Sequence, residues 1–289
     1  MTGADEAGEP ELPDEVLGRA PGRGRLTGRR VLVVGAGTRH SDDPEAPIGN
    51  GRAISVLAAR EGATVVCVDR HEAAAQETVR LIEADDASVR AAPEFQPGRA
   101  FALAADVSAE AGCAGAVDAA VGLLGGLDGL VLNVGIALGR GLTGTTAEEW
   151  DRVFAVNVRA HFLVTAAALG HLAPRSSIVF VSSAASLRSG TGVPSYDSSK
   201  AALLGLARQT AREAAWSRSR ANVLVPGYVD TPMGREASAR NPNRARRLPL
   251  GRQATAWEVA YGAVWLLSHE SSYMTGQSLV LDGGVQALP

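Results

Sequence analysis

Seven short apolar runs divide the chain: Arg30–Gly35, Thr64–Asp69, Phe101–Val107, Gly129–Asn133, Ile178–Val181, Ala221–Pro226 and Thr275–Asp282. Most are rich in β-branched residues and lack a polar/apolar alternation, the pattern of strands buried on both faces. Between them, apolar residues recur at three- and four-residue spacing, which predicts helices with one apolar face. Ala53, Ile54, Leu57 and Ala58 form one such stripe, closed by Gly62. Glu72 to Ala84, with Val79 and Ile82 inward, forms another, and Ala109 to Leu124 a third. A long helix starts at Thr146 and carries Trp150, Val153, Phe154, Val156 and Asn157. Further helices run from Tyr196 and from Thr255, the last holding Val259, Ala260, Val264, Leu266 and Leu267. Thr146 with Glu149, and Thr255 with Glu258, have the spacing of capping boxes. Strands alternating with helices predict an α/β fold. Its sheet is doubly wound, with seven mostly parallel strands, helices on both faces and ligands at the C-terminal strand edges.

Composition adds boundaries. Residues 1–25 are rich in Gly, Pro, Asp, Glu and Ala, with few large apolar side chains, and read as a disordered or loosely attached tail. Residues 26–289 read as one domain, which suits a 289-residue chain that is 46% hydrophobic. Two stretches interrupt the pattern: the polar run Arg39–Pro47, and residues 85–98, a polar, proline-containing excursion. A net charge of −3 predicts no nucleic-acid surface. Cys67 and Cys113 have no motif spacing, so neither a disulfide framework nor a metal site is expected. No apolar run approaches the roughly 18 residues of a membrane span. The N-terminus lacks a basic region followed by an apolar core. A cytoplasmic protein without membrane contact is expected.

The candidate chemistry lies between Ser176 and Lys200. Strand Ile178–Val181 runs into Ser182 and Ser183. A loop with Gly190, Gly192 and Pro194 follows, then Tyr196-Asp-Ser-Ser-Lys200. Tyr196 and Lys200 are four apart and share one helix face. A phenol titrates near pH 10 in water. An ammonium one turn away favours the phenolate and is expected to lower that value. Tyr196 could then exchange a proton with an alcohol or carbonyl oxygen. Ser183, thirteen residues earlier at the strand end, could hydrogen-bond the same oxygen, with Ser182 as its rival. Asn157 is a poor helix former on an apolar helix face, disfavoured by about 0.6 kcal/mol, which suggests a task.

A second constellation opens the chain. Gly35-Ala-Gly37-Thr38 follows the first strand, and the pattern resumes after Pro47 as Ile48-Gly49-Asn50-Gly51. Glycines there let the backbone approach a pyrophosphate at a helix N-terminus. Asp69 ends the second strand. A carboxylate at that point can take both ribose hydroxyls of NAD and repels a 2′-phosphate. The alternative is a cap for the helix that begins near Glu72. Arg70 could receive a 2′-phosphate, but the like charge of Asp69 outweighs it. NAD is therefore expected, with NADP the less favoured cofactor.

Ser183, Tyr196 and Lys200 at this spacing, preceded by Val156-Asn157-Val158, resemble the short-chain dehydrogenase/reductase family over about residues 26–284. The resemblance implies a single Rossmann-type sheet. It also implies that Ser183, Tyr196 and Lys200 form the catalytic set, with Asn157 holding a water in the proton relay. Gly35, Gly49 and Gly51 match the family's Gly-x-x-x-Gly-x-Gly turn if about ten residues are inserted after the first glycine. By the same resemblance Asp106 contacts the adenine amino group and Val107 packs beside the ring. Asn133-Val134-Gly135 replaces the usual Asn-Asn-Ala-Gly, with Gly135 keeping the backbone close to the cofactor ribose. Tyr196 and Lys200 face the nicotinamide ribose, and Val229 and Thr231 hold the carboxamide. A homotetramer is implied as well.

The expected activity is NAD(H)-dependent interconversion of a secondary alcohol and a ketone. The alternatives are a non-catalytic NAD(P)-sensing protein and an NADP-dependent 3-oxoacyl-type ketoreductase. Residues 231–252 read as a substrate lid. It carries Arg235, Arg240, Arg244, Arg246, Arg247 and Arg252 against Glu236. Such a run is either a solvated face or a positive field for an anionic or carrier-bound substrate.

Overall fold

The computed structural model describes residues 12–41, 45–85, 98–188, 190–240 and 248–288. The expected strands form one sheet from β1 (Arg30–Val34), β2 (Thr64–Asp69), β3 (Ala100–Ala104), β4 (Leu127–Leu132), β5 (Leu172–Val181), β6 (Arg220–Pro226) and β9 (Ser278–Leu281). Their order is β3-β2-β1-β4-β5-β6-β9, and every neighbouring pair is parallel. The chain winds outward from β1 to one edge, returns, and winds from β4 to the other. The strand order therefore reverses between β1 and β4, which is where a crevice for a ligand opens. A separate two-stranded pair, β7 (Val229–Asp230) and β8 (Ala254–Thr255), ties together the two ends of the intervening segment 231–253.

The continuous apolar runs have a direct cause. Val31, Val33, Val65, Cys67, Val131, Val179 and Leu224 face one core, with α2 (Asn50–Arg60) and α9 (Ala256–Leu267). Leu32, Val34, Val66, Val68, Leu130, Leu132, Ile178 and Phe180 face the other. That second core is filled by α4 (Glu110–Leu124), α6 (Ala160–Leu169) and α7 (Pro194–Ala214). Successive residues of the central strands alternate between two apolar layers, so few polar positions remain. Of the remaining helices, α1 (Asp14–Leu17) packs on α9 and α3 (Glu72–Glu83) packs on β3 and α2. Both predicted capping boxes form, on α5 (Ala147–Phe154) and on α9. α8 (Pro232–Arg240) opens the lid segment.

The structure departs from the sequence reading in several places. Residues 12–25, expected as a loose tail, are docked. The Arg60 guanidinium donates to the carbonyls of Gly18 and Ala20. The Glu61 carboxylate accepts from the Arg23 and Arg25 amides and pairs with the Arg25 guanidinium at 2.7 Å. Thr255, the cap of α9, donates to the Val16 carbonyl, and Leu26 is fully buried. Residues 1–11 of the expected tail, residues 86–97 of the polar excursion and residues 241–247 of the lid lie outside the described residues. β3 ends at Ala104, before Asp106 and Val107, and β5 begins earlier than expected, at Leu172. The predicted long helix is not uniform, because α5 and α6 are joined by a π-turn, Ala155–Arg159. The continuous stretch Ala147–Leu169 is long and apolar enough to cross a membrane by length and composition, although polar residues interrupt it. Here it packs beside α4 and α7 on the sheet.

Candidate active site

The C-terminal ends of β4 and β5, the π-turn and the first turns of α7 bring Asn157, Ser183, Tyr196 and Lys200 together. Ser183 is extended and caps the short 3-10 turn Ala184–Ser186, its Oγ accepting from the Ala185 amide at 3.2 Å. The same hydroxyl stands close enough to the Tyr196 phenol to favour its ionised form. Ser182 is excluded from this role, since its buried Oγ donates to the Lys200 carbonyl at 2.8 Å. Pro194 at the start of α7, where its missing N–H costs nothing, sets the helix two residues before Tyr196.

Lys200 is buried and donates from Nζ to the Val181 carbonyl at 2.9 Å. Its Nζ lies 5.8 Å from the centre of the Tyr196 ring. Burial lowers the Lys200 pKa to about 8. Burial likewise raises the Tyr196 phenol, the nearby Ser183 hydroxyl opposes this, and Asp197 raises it further. The expectation that Lys200 pulls the phenol down is therefore corrected for the protein by itself. Desolvation of two poorly hydrated groups dominates, and the ammonium is held on the strand carbonyl rather than on the phenol. Gly135 stands beside this pair: a Cβ there would lie 3.2 Å from Lys200 Nζ and 3.7 Å from Asn157 Oδ1.

Asn157 sits in the π-turn, fully buried. Its Oδ1 accepts from the Ile136 amide at 2.8 Å. Its Nδ2 donates to the Ile136 carbonyl and to Ser199 Oγ, both at 2.9 Å. Ser199 in turn donates to the Tyr196 carbonyl. Both amide protons are thus committed to protein partners, so the side chain clamps the β4–α5 loop onto α7. Any water at this position must rely on the backbone carbonyl. π-turns suit that purpose, because the wider i→i+5 ring releases a carbonyl from the regular ladder. Ser199 is a residue the sequence reading passed over; its position between Tyr196 and Lys200 was the available signal.

The glycine-rich turn also forms. Gly35 has φ +84°, and a Cβ on Gly51 would meet the Gly35 carbonyl at 1.8 Å. The Asn133 amide donates to that carbonyl at 2.8 Å, so Asn133 braces the turn from β4. The inserted run leaves after Thr38 and returns at Gly49, whose amide donates to Thr38 Oγ at 2.8 Å. Asp69 accepts from the Gly37 amide at 3.1 Å and from the His71 amide at 3.0 Å, which places its carboxylate at the turn. Arg70 donates instead to His71 Nε2. Asp106 is exposed beyond β3 and accepts from the Ser108 amide, while Val107 is buried. Val229 is buried in β7, and Thr231 caps α8 by accepting from the Gly234 amide. Asn50, between Gly49 and Gly51, carries a side-chain oxygen shut off from water and lacking a protein partner.

A dinucleotide fits this arrangement on the structure's own terms. The cradle has no room for Cβ atoms, a helix N-terminus faces it, a carboxylate stands beside it, and an orphaned polar atom lies inside it. On the lid, Arg235 pairs with Asp230 at 2.9 Å and Arg252 with Glu258 at 2.8 Å, while Glu236 pairs with Arg39 of the insertion. Among the described side chains of residues 231–252, Arg235 and Arg252 are thus neutralised. Arg244, Arg246 and Arg247 lie outside the described residues.

Comparison with known proteins agrees with this geometry. Residues 47–286 match the family model described as enoyl-(acyl carrier protein) reductase. The mouse (3R)-3-hydroxyacyl-CoA dehydrogenase is 35% identical over 266 residues, which cover 90% of this chain and 97% of that protein. The chain belongs to the short-chain dehydrogenase/reductase family. Another member, the cyclopentanol dehydrogenase of Comamonas testosteroni, is 35% identical over 91% of this chain and 99% of its own length. A short-chain dehydrogenase/reductase structure from Serratia marcescens superposes with a TM-score of 0.80 at 29% identity, covering 91% of this chain and all of that one.

Proposed function

We propose that this short-chain dehydrogenase/reductase interconverts a secondary alcohol and a ketone with NAD(H). One observation carries the reading: Ser183 and the Tyr196 phenol stand side by side at the end of β5, with the buried Lys200 Nζ 5.8 Å from the centre of the Tyr196 ring. Two hydroxyls converging at a strand edge make a site for one substrate oxygen. Tyr196 gives that oxygen a proton in reduction and takes it in oxidation, and Ser183 orients it. Lys200 supplies positive charge beneath the phenol and faces the cofactor ribose across Gly135. Asn157 fixes the loop and the helix that hold these groups. When bound, the nicotinamide supplies the hydride acceptor or donor. Relatives named for acyl-thioester and cyclopentanol substrates support an alcohol/ketone chemistry without fixing the chain length or carrier.

The choice of NAD rests on Asp69, whose carboxylate is held at the turn while Arg70 is turned onto His71. Assembly as a homotetramer belongs to the same reading. Phe162 on α6 and Val280 on the edge strand β9 are exposed apolar side chains that subunit contacts would cover, and sedimentation tests it. The activity is tested by NADH oxidation against a panel of ketones and β-keto thioesters. Tyr196→Phe is expected to lower kcat by 10²–10⁴-fold while NADH binding, followed by fluorescence, stays near that of the wild type. A Tyr196→Phe enzyme that keeps more than about a tenth of kcat refutes the role of the phenol.

A further inference from the structure

Arginine stands at two positions where the backbone favours glycine. Among the described residues, Arg175 at φ +66° and Arg218 at φ +57° are the two non-glycine residues in the left-handed region. Arg218 ends the 3-10 turn Ala215–Ser217 behind α7, a helix end that glycine closes without a Cβ penalty. Arg175 sits in a bulge of β5. Leu127 of β4 pairs with Leu172 and Gly129 with Ser177, so the residues between Leu172 and Ser177 loop out of the ladder. Bulges re-aim side chains, and residues that persist in strained backbone are frequent at ligand clamps.

Both arginines line one open cavity of about 450 Å³, with Pro174, Trp216 and Ser217. Trp216 is 92% exposed, so little of its indole is used in packing this chain. Arg175 and Arg218 are exposed as well, and among the described residues neither pairs with a carboxylate. The walls are tied together: Ser217 Oγ is hydrogen-bonded to Ser219 Oγ at 2.8 Å, and Ser219 Oγ accepts from the Ser176 amide at 3.1 Å. These bonds join the β5 bulge to the start of β6. Two buried guanidiniums stand behind it. Arg29 reaches the Arg175 carbonyl at 3.5 Å, and Arg220 is held by carbonyls and by Ser271 Oγ. The carboxylate that acts on Arg29, Asp128, is already paired with Arg30 at 2.7 Å. The cavity is thus locally positive in a chain of net charge −3. It is also remote from the reaction. Tyr196 stands in the first turn of α7, and Trp216 follows the last, about 30 Å of helix away at ~1.5 Å per residue.

We propose that this cavity binds a small organic anion that joins a flat ring to a phosphate, the chemistry of a nucleoside monophosphate. The ring stacks on the Trp216 indole, a contact that accepts any base. Arg175 from β5 and Arg218 from the turn before β6 close on the phosphate. Two guanidiniums match the double charge of a phosphate better than the single charge of a carboxylate, and each offers its oxygens a planar fork. The volume suits such a ligand, since small-molecule sites span about 300–1,000 Å³. The left-handed backbone fixes the direction in which each arginine leaves the chain, which gives the strain a purpose that glycine would not serve.

The test titrates AMP into the full-length protein labelled with fluorotryptophan, with NADH at saturation to fill the cofactor cradle. Fluorine NMR reads the Trp216 signal, assigned by its disappearance in Trp216→Phe. AMP should move that signal saturably. Adenosine alone and inorganic phosphate alone should bind at least about tenfold more weakly, since each keeps one half of the contacts. Arg175→Gly combined with Arg218→Gly should weaken AMP binding by at least about tenfold while Tm is no lower than that of the wild type, because glycine relieves the left-handed backbone. A Trp216 signal that AMP does not move overturns the proposal. So does inorganic phosphate that binds as tightly as AMP, which would mark an adventitious ion only, or equal AMP affinity in the glycine variant and the wild type. If the double variant does not fold, either single glycine variant decides by the same comparison. If NADH does not bind, the proposed function fails, and the Trp216 signal still decides this cavity by itself.

Discussion

Asn157→Ala separates two accounts of the same residue. The resemblance to the family assigns Asn157 a relay water, whereas in the structure its side chain makes three hydrogen bonds, at 2.8, 2.9 and 2.9 Å, to Ile136 and Ser199. Each is fully or partly buried, and a net value of about 1 kcal/mol each gives about 3 kcal/mol. Leaving the Ile136 amide and carbonyl without partners would raise this toward about 5 kcal/mol unless water fills the space. For a domain of this size, 1 kcal/mol moves the midpoint by about 2–4 °C, so Tm should fall by about 6–12 °C or more. Because Ser199 hands the constraint on to the Tyr196 carbonyl, kcat should fall with stability. Thermal unfolding by circular dichroism, read beside kcat at a temperature where the variant is folded, makes the measurement. A loss of activity with Tm lowered by less than about 2 °C would refute the clamp and return Asn157 to a purely chemical role.

Asp69→Ala should narrow the preference for NAD over NADP by about tenfold, corresponding to about 1.4 kcal/mol. A wild-type enzyme with the higher kcat/KM on NADP would show that Arg39 or Arg70 overrides the carboxylate. Removing Arg39–Pro47 and joining Thr38 to Ile48 should change stability by less than about 1 kcal/mol, because loop-length changes cost little. A variant that fails to fold would mean that the insertion packs where the described residues do not show it. Buried on α6, His161 sets an acid limb. Its pKa is about 3 folded against 6.5 unfolded, so the unfolded chain binds the extra proton between those values. Stability should therefore fall as pH drops from 6.5 toward 3, by up to about 1.4 kcal/mol per unit. The difference between wild type and His161→Leu in urea midpoints across that range measures it, and parallel acid limbs in the two proteins would contradict the buried, neutral ring.

The sheet was legible because its central strands lie between two apolar layers, so their sequences are plain apolar runs. Ser183, Tyr196 and Lys200 were legible because a strand end and the first turns of one helix fix their relation locally. What escaped was set by distant partners. Residues 12–25 offer little apolar surface of their own. They are held by Arg60 and Glu61 at the end of α2 and by Thr255 and Trp257 on α9. The π-turn escaped because Ala-Val-Asn-Val-Arg reads as ordinary helix. The direction of the Tyr196 pKa escaped because sequence spacing reports a neighbouring charge but not the burial that opposes it.

The insertion shows how a departure from pattern can leave a site intact. Ten additional residues in a phosphate-binding turn should destroy it if they spread its ends. Here the ends are closed at the base. Gly49 donates to Thr38 Oγ, and a Cβ on Gly49 would be only 3.4 Å from the Gly37 carbonyl. The chain leaves and returns at one point, so the loop adds closure entropy without moving Gly35 or Gly51. Thr38 accepts a hydrogen bond from the amide of the residue that caps α2, so it completes the helix end as well as the loop base. Beyond that base the insertion reaches the lid, where Arg39 pairs with Glu236 on α8. Both side chains are half-exposed, so the pair is worth at most about 1 kcal/mol. That is too little to fix the insertion against α8 by itself.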